Sequence, residues 1–252
     1  HNMLLQLQNT YVKGGKDRIL FTLPTLINVY LNFIHILYSN YTNREAPSGN
    51  KSALYTQFLE NHSYNFESIS ALSTFIRPIY ENILDLISSY LIPSNYENSF
   101  QLLLSLLNSI NLCKDFDFKD LSNRISLLTL ENLTDGDKRV QYLILFIANL
   151  YNIKSISQED YDSLVNKVSE IGFNLNKRID QSKVSILISN LYYPVHYQKK
   201  EEDCLELLSK AKEFADYGMS INPQQGLILY IQILNKNIHY IEQGATFLKA
   251  KK

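Results

Sequence analysis

Apolar residues recur along this chain with the period of an α-helix, and none of the apolar windows alternates with period two. In 95–112, Phe100, Leu103, Leu106, Leu107 and Ile110 share a face; in 135–154, Val140, Leu143, Ile144, Ile147, Leu150 and Tyr151 do so. Lys200–Gly218 carries Cys204, Leu207, Leu208, Ala211, Phe214, Ala215 and Gly218, and Asn222–Glu242 carries Leu227, Ile231, Leu234, Ile238 and Ile241. Strands are excluded on composition too. Eight glycines and six prolines in 252 residues are too few for a fold that turns every ten residues or so.

The boundaries carry their own chemistry. Ser157 before Gln158-Glu159-Asp160, and Asn222 before Pro223, read as helix N-caps. Thr134-Asp135-Gly136-Asp137 is a break, and Pro93-Ser94-Asn95 and Pro194 end the helices before them. Pro78 is expected to kink or start a helix rather than sit inside a regular one. The resulting segments pair as 74–92 with 95–112, 117–132 with 135–154, 157–175 with 178–195, and 200–217 with 222–242. The pairs step by roughly 40 residues, the size of a two-helix HEAT-type unit. The expected fold is therefore all-α: a HEAT-like α-solenoid of stacked antiparallel helix pairs forming one domain over 1–252. A non-repeating helical bundle would give similar local signals. Residues 41–70, with Asn43-Arg44-Glu45-Ala46-Pro47-Ser48-Gly49-Asn50, read as a loop or insertion holding a short helix at Ser52–Leu59.

Catalytic patterns are missing. Gly14-Gly15 lacks the strand-loop-helix context of a phosphate loop, and no Gly-x-Ser-x-Gly or His-Glu-x-x-His occurs. Asp115 with Asp117, and Glu201-Glu202-Asp203, stand at helix starts, where acids complement the macrodipole. Cys113 and Cys204 sit in apolar helical patterns, and the five histidines are scattered, so no metal or other cofactor is expected. A net charge of −1 and short lysine pairs (Lys199-Lys200, Lys251-Lys252) leave no footprint for nucleic acid. His1-Asn2-Met3 reads as a cloning remnant, with no signal peptide behind it. No formal charge lies between Arg18 and Arg44, but Thr22, Pro24, Thr25, Asn28, Asn32 and His35 interrupt the stretch, so a membrane span is not expected. The expectation is a chain that is not an enzyme.

Two features point to protein contacts. Thr25, Asn28, Asn32, His35 and Ser39 form an uncharged polar stripe opposite Leu26, Val29, Tyr30, Phe33 and Leu37. Neutral polar groups cost less to desolvate than charges, so either a partner or another helix of the chain covers that stripe. Tyr192-Tyr193-Pro194 with His196-Tyr197 is a dense aromatic cluster, read either as an interface anchor or as core edge.

Gly15-Lys16-Asp17-Arg18-Ile19-Leu20-Phe21-Thr22-Leu23-Pro24-Thr25-Leu26 closely resembles a motif of the retromer large-subunit family, vacuolar protein sorting-associated protein 35. Asp180-Gln181 leading to Asn190-Leu191-Tyr192-Tyr193 follows in family order, as do Cys204-Leu205 and the run from Gln232 to Glu242. The likeness covers nearly the whole chain, and Tyr41–Ser70 aligns poorly. It departs where the family commonly has His-Leu-Phe-Trp: the histidine is Asn190 and the tryptophan Tyr193.

The resemblance implies the C-terminal α-solenoid of a non-catalytic scaffold in the cytoplasm, peripheral on endosomal membranes and acting in retrograde transport. Its implied partner is the small subunit with a metallophosphoesterase fold, vacuolar protein sorting-associated protein 29, and the C-terminal ends can pair with one another. The residues expected at the partner are Arg18, Asn190, Tyr192, Tyr193, Asn235 and His239, with Tyr193→Ala weakening binding without unfolding the chain. Asp17 and Arg18 could instead simply close a helix turn. The alternative function is a helical-repeat adaptor for another coat component or short peptides.

Overall fold

A computed structural model describes residues 16–44, 66–93, 96–133 and 138–245. It is all-α. Helix α1 spans Lys16–Arg44, α2 Ile69–Leu86, α3 Tyr96–Leu112, α4 Lys119–Glu131, α5 Arg139–Asn152, α6 Gln158–Phe173, α7 Arg178–Tyr192, α8 Glu201–Ile221 and α9 Pro223–Glu242. No strand occurs among the described residues. The chain divides into two compact units between Ile125 and Ser126, a point inside α4.

In the first unit, α1 packs on α2 and α3. The buried row of α1 is Leu23, Ile27, Tyr30, Leu31, Ile34 and Leu37, while Val29 is 58% exposed. The uncharged stripe opposite is divided. His35 bonds to Ser109 Oγ of α3 at 2.8 Å, whereas Thr25, Asn28, Asn32 and Ser39 are exposed. α1 also runs on through Tyr41–Arg44, and α2 starts at Ile69, so both ends of the expected loop are helical. Residues 45–65, the expected short helix at 52–59 included, lie outside the described residues, as do 134–137.

Pro78 does not start a helix. It lies within α2, which begins five residues before Thr74 because Ser68 caps it, accepting a hydrogen bond from Ala71 N at 3.1 Å. Only the bond to the Thr74 carbonyl is forfeited, and the apolar face of Leu72, Ile76, Ile79, Tyr80 and Ile83 outweighs that loss. A π-helical turn, Ile87–Leu91, closes the helix before Pro93.

In the second unit, α7 packs against its chain neighbours α6 and α8 and also against α5 and α9, two helices away on either side. That stacking of successive pairs is the solenoid arrangement. Small residues bring the helices together. Ala211 and Ala215 of α8 meet Ile186 of α7 and Leu229 and Ile233 of α9. A Cβ on Gly226 would lie 2.8 Å from Met219 Cα, so only glycine permits that approach of α9 to the end of α8. The predicted caps form: Ser157 accepts from Asp160 N, and Asn222 from Gln225 N, each at 3.1 Å.

The predicted face of α8 is the one that is buried, but the predicted row of α9 is not. Leu227, Ile231, Leu234, Ile238 and Ile241 are 46–59% exposed, and α9 buries Gly226, Leu229, Ile233 and Tyr240 instead. Two apolar rows compete on this helix. The one that packs contains the glycine that allows close approach and the tyrosine that finds polar partners inside.

Candidate docking groove

The end of α9 is built to hold Tyr240. Gly244 adopts φ +84°, its N–H donates to Ile241 O at 3.0 Å, and Ala245 N donates to Tyr240 O at 2.9 Å. This left-handed turn satisfies the last carbonyls and folds Ala245 back onto a cluster of Tyr193, Cys204, Leu208 and Tyr240. Burial pushes the Cys204 thiol up to about 12 and raises the Tyr240 phenol as well, so both stay neutral. Tyr240 OH lies 2.8 Å from Ser189 Oγ and donates to Asn190 Oδ1 at 3.2 Å.

Asn190 is the junction between α7 and α9. Its Nδ2 donates to Leu187 O at 3.0 Å, and its Oδ1 also accepts from Lys236 Nζ at 2.8 Å. Lys236 is thereby held by its tip, and burial of the ammonium lowers its pKa. Beside this junction the packing of α7 between α5 and α9 leaves an open groove of about 540 Å³. Ile144, Ile186 and Leu187 supply its apolar part, and Lys183, Gln232, Asn235, Lys236 and His239 its polar part. An adjoining depression of about 270 Å³ shares Ile144, Leu187, Lys236 and His239 and extends to Ile147, Tyr151 and Asn190. Together they run along one side of the second unit.

The groove gathers two of the six residues singled out in the sequence, Asn235 and His239, and the adjoining depression holds a third, Asn190. Tyr192 is half-buried elsewhere, its hydroxyl donating to Asn166 Oδ1 at 3.2 Å and its carbonyl accepting from Lys200 N at 2.8 Å. Tyr193 is interior, 6% exposed, with its ring 5.1 Å from that of Tyr240 and its hydroxyl donating to Gln243 O at 3.2 Å. Of the two readings of the aromatic cluster, core edge is the one that holds for Tyr193. Arg18 belongs to α1 in the first unit, and its side chain lies outside the described residues. Sequence reasoning passed over Lys236, although it is the sole charge on α9 before Glu242.

No group of three or more His, Cys, Asp or Glu among the described residues stands close enough to hold a metal ion. Among those residues, no helix is long and apolar enough to cross a membrane.

A family model described as vacuolar protein sorting-associated protein 35 matches residues 1–252. The chain is 27% identical over 143 residues to vacuolar protein sorting-associated protein 35 of Schizosaccharomyces pombe, covering 54% of this chain and 17% of that protein. It is 22% identical over 243 residues to vacuolar protein sorting-associated protein 35C of Arabidopsis thaliana, covering 92% of this chain and 28% of that protein. The chain thus spans less than a third of the length of either relative.

Proposed function

This chain belongs to the vacuolar protein sorting-associated protein 35 family, and from that premise we propose that it is a non-catalytic scaffold segment of the retromer coat. In this reading it works in protein sorting from endosomes, peripheral to their membranes, and holds the small metallophosphoesterase-fold subunit, vacuolar protein sorting-associated protein 29, along the groove of α5, α7 and α9. Arg18 is assigned to a second contact with the same partner, through the first unit.

The observation that carries the reading is the convergence of Asn235 and His239 on one open groove, with Asn190 in the depression that adjoins it. All three lie in the stretches of sequence that resemble the family. The groove's size lies in the usual range, about 300–1,000 Å³, for sites that enclose a small ligand or a few side chains. Asn235 and His239 are exposed, so they can be changed without opening the core.

The test is co-expression of the small subunit with this chain, followed by gel filtration. A 1:1 complex is expected, with Asn235→Arg combined with His239→Glu raising the dissociation constant at least tenfold while leaving the thermal midpoint unmoved. A chain that folds and yet never co-elutes with the small subunit would reject the assignment. It would favour the other reading, an adaptor for short peptides or another coat component, which the open shape of the same groove also suits.

The outward row of α9 is assigned to self-association. Leu227, Ile231, Leu234, Ile238 and Ile241 are spaced 4, 3, 4 and 3 residues apart, the repeat of a coiled-coil seam, and all are exposed. Such a row suits a second helix of the same kind. It is separate from the groove assigned to the small subunit.

A further inference from the structure

Two lysines line the groove, and the lining offers neither of them a counter-charge. Its polar lining carries Lys183, Lys236 and His239 and no carboxylate. Lys183 lies 3.9 Å from Asp180, one turn back on its own helix, a spacing that leaves most of its charge to solvent. Lys236 is different. It is half-buried, and its ammonium is fixed on Asn190 Oδ1 rather than on a carboxylate. Asn190 is itself fixed by Leu187 O and Tyr240 OH, so the ammonium is presented at a set position rather than swept through solvent. Beside it lie Ile144, Ile186 and Leu187. A cation that has lost part of its hydration gains most from a charged acceptor, and an apolar patch next to it rewards a neighbouring aliphatic group.

We propose that the groove takes an acidic, extended segment of a protein partner, in which one carboxylate meets the Lys236 ammonium and an adjacent aliphatic side chain seats on Ile144, Ile186 and Leu187. This rests on reading the groove as the partner interface, and it names the chemistry the partner must bring. Asn190 acts as a positioning residue: it sets where the ammonium stands and need not touch the partner.

The experiment uses the 252-residue chain labelled at isoleucine and leucine methyls, titrated with two probes. One is the blocked tetrapeptide acetyl-Asp-Leu-Asp-Leu-amide and the other its neutral counterpart acetyl-Asn-Leu-Asn-Leu-amide. The acidic peptide is expected to shift the methyl signals of Ile144, Ile186 and Leu187 saturably, binding at least fivefold tighter than the neutral one. The advantage should shrink as salt is raised and disappear in Lys236→Met, which keeps the stem and removes the charge. Asn190→Ala should reduce it while leaving Lys236 in place.

Equal affinities, shifts confined to another face, or no shift with either peptide would overturn the proposal on the unaltered chain alone, whatever the variants do. Retention of the acidic preference in Lys236→Met would overturn the assignment of the cation. Because the small subunit is absent from this titration, the outcome is separate from that of co-elution. A complex with the small subunit beside a null titration would remove this inference and leave the proposed function standing.

Discussion

Tyr193 lies between two roles that its neighbours decide. Its ring packs on Tyr240, Lys199 Nζ stands 3.9 Å above the ring, and its hydroxyl reaches the carbonyl of Gln243 past the end of α9. Truncating it removes a filled volume and a hydrogen bond from the junction of α7, α8 and α9. Tyr193→Ala should therefore cost about 3 kcal/mol of unfolding free energy, read from urea denaturation. Any loss of partner binding would follow from that destabilisation, so an unchanged denaturation midpoint would contradict the interior role. The expectation that this residue could be cut back without unfolding the chain does not fit its burial.

His35 makes a residue-scale prediction of another kind. Burial against α3 lowers its pKa below the usual 6.5. Below that value the unfolded chain takes up a proton that the folded chain resists. Stability contributed by the neutral ring is therefore complete at pH 7.5 and declines as the pH falls through 6.5 toward the lower folded value. Unfolding free energy measured between pH 7.5 and 5.5 should fall for the native chain and fall less for His35→Gln. Equal slopes would show that His35 titrates alike in the folded and unfolded chain.

Among the elements, α9 departs furthest from its pattern. Helix existence and ends follow from local chemistry. Asn222 and Pro223 start α9, Ser157 starts α6, and the small-residue face of α8 is buried as its spacing predicts. Which face of α9 packs does not follow, because Leu227, Ile231 and Leu234 are as apolar as Leu229 and Ile233. The choice is made by non-local facts: the clearance at Gly226 beside Met219, and the partners of Tyr240 on α7. The groove was legible only in part for the same reason. Asn235 and His239 could be taken from a motif, whereas the ammonium of Lys236 acquires meaning through Asn190, 46 residues away.

The exposed row carries the element-scale prediction. Ile231→Gln with Leu234→Gln should leave the fold intact, since neither side chain is buried, and should lower the apparent mass in light scattering toward that of a monomer at high concentration. A concentration-independent mass for both native chain and variant would argue against self-association along α9.

At the scale of the whole molecule, the account is one of surfaces presented by stacked helices. Each compact unit buries its own core. The first uses the inner row of α1 with α2 and α3, and the second the cluster where α7 meets α8 and α9. What remains outside in the second unit is a groove on one set of helices and an apolar row on the last of them. The helical class, the last two helix pairs and the caps at Ser157 and Asn222 were readable from periodicity and turn chemistry. The interior position of Tyr193 was not, because a tyrosine at a helix end looks alike whether its hydroxyl meets solvent or a backbone carbonyl.

The central claim is that the small subunit is held along α5, α7 and α9. Hydrogen–deuterium exchange on the chain alone and in complex tests it most directly, since amides at a covered surface slow on binding while the remainder are unchanged. The account predicts added protection in 144–152, 183–190 and 232–239. Protection confined to α6 and α8, with those three segments exchanging as fast as in the free chain, would contradict it.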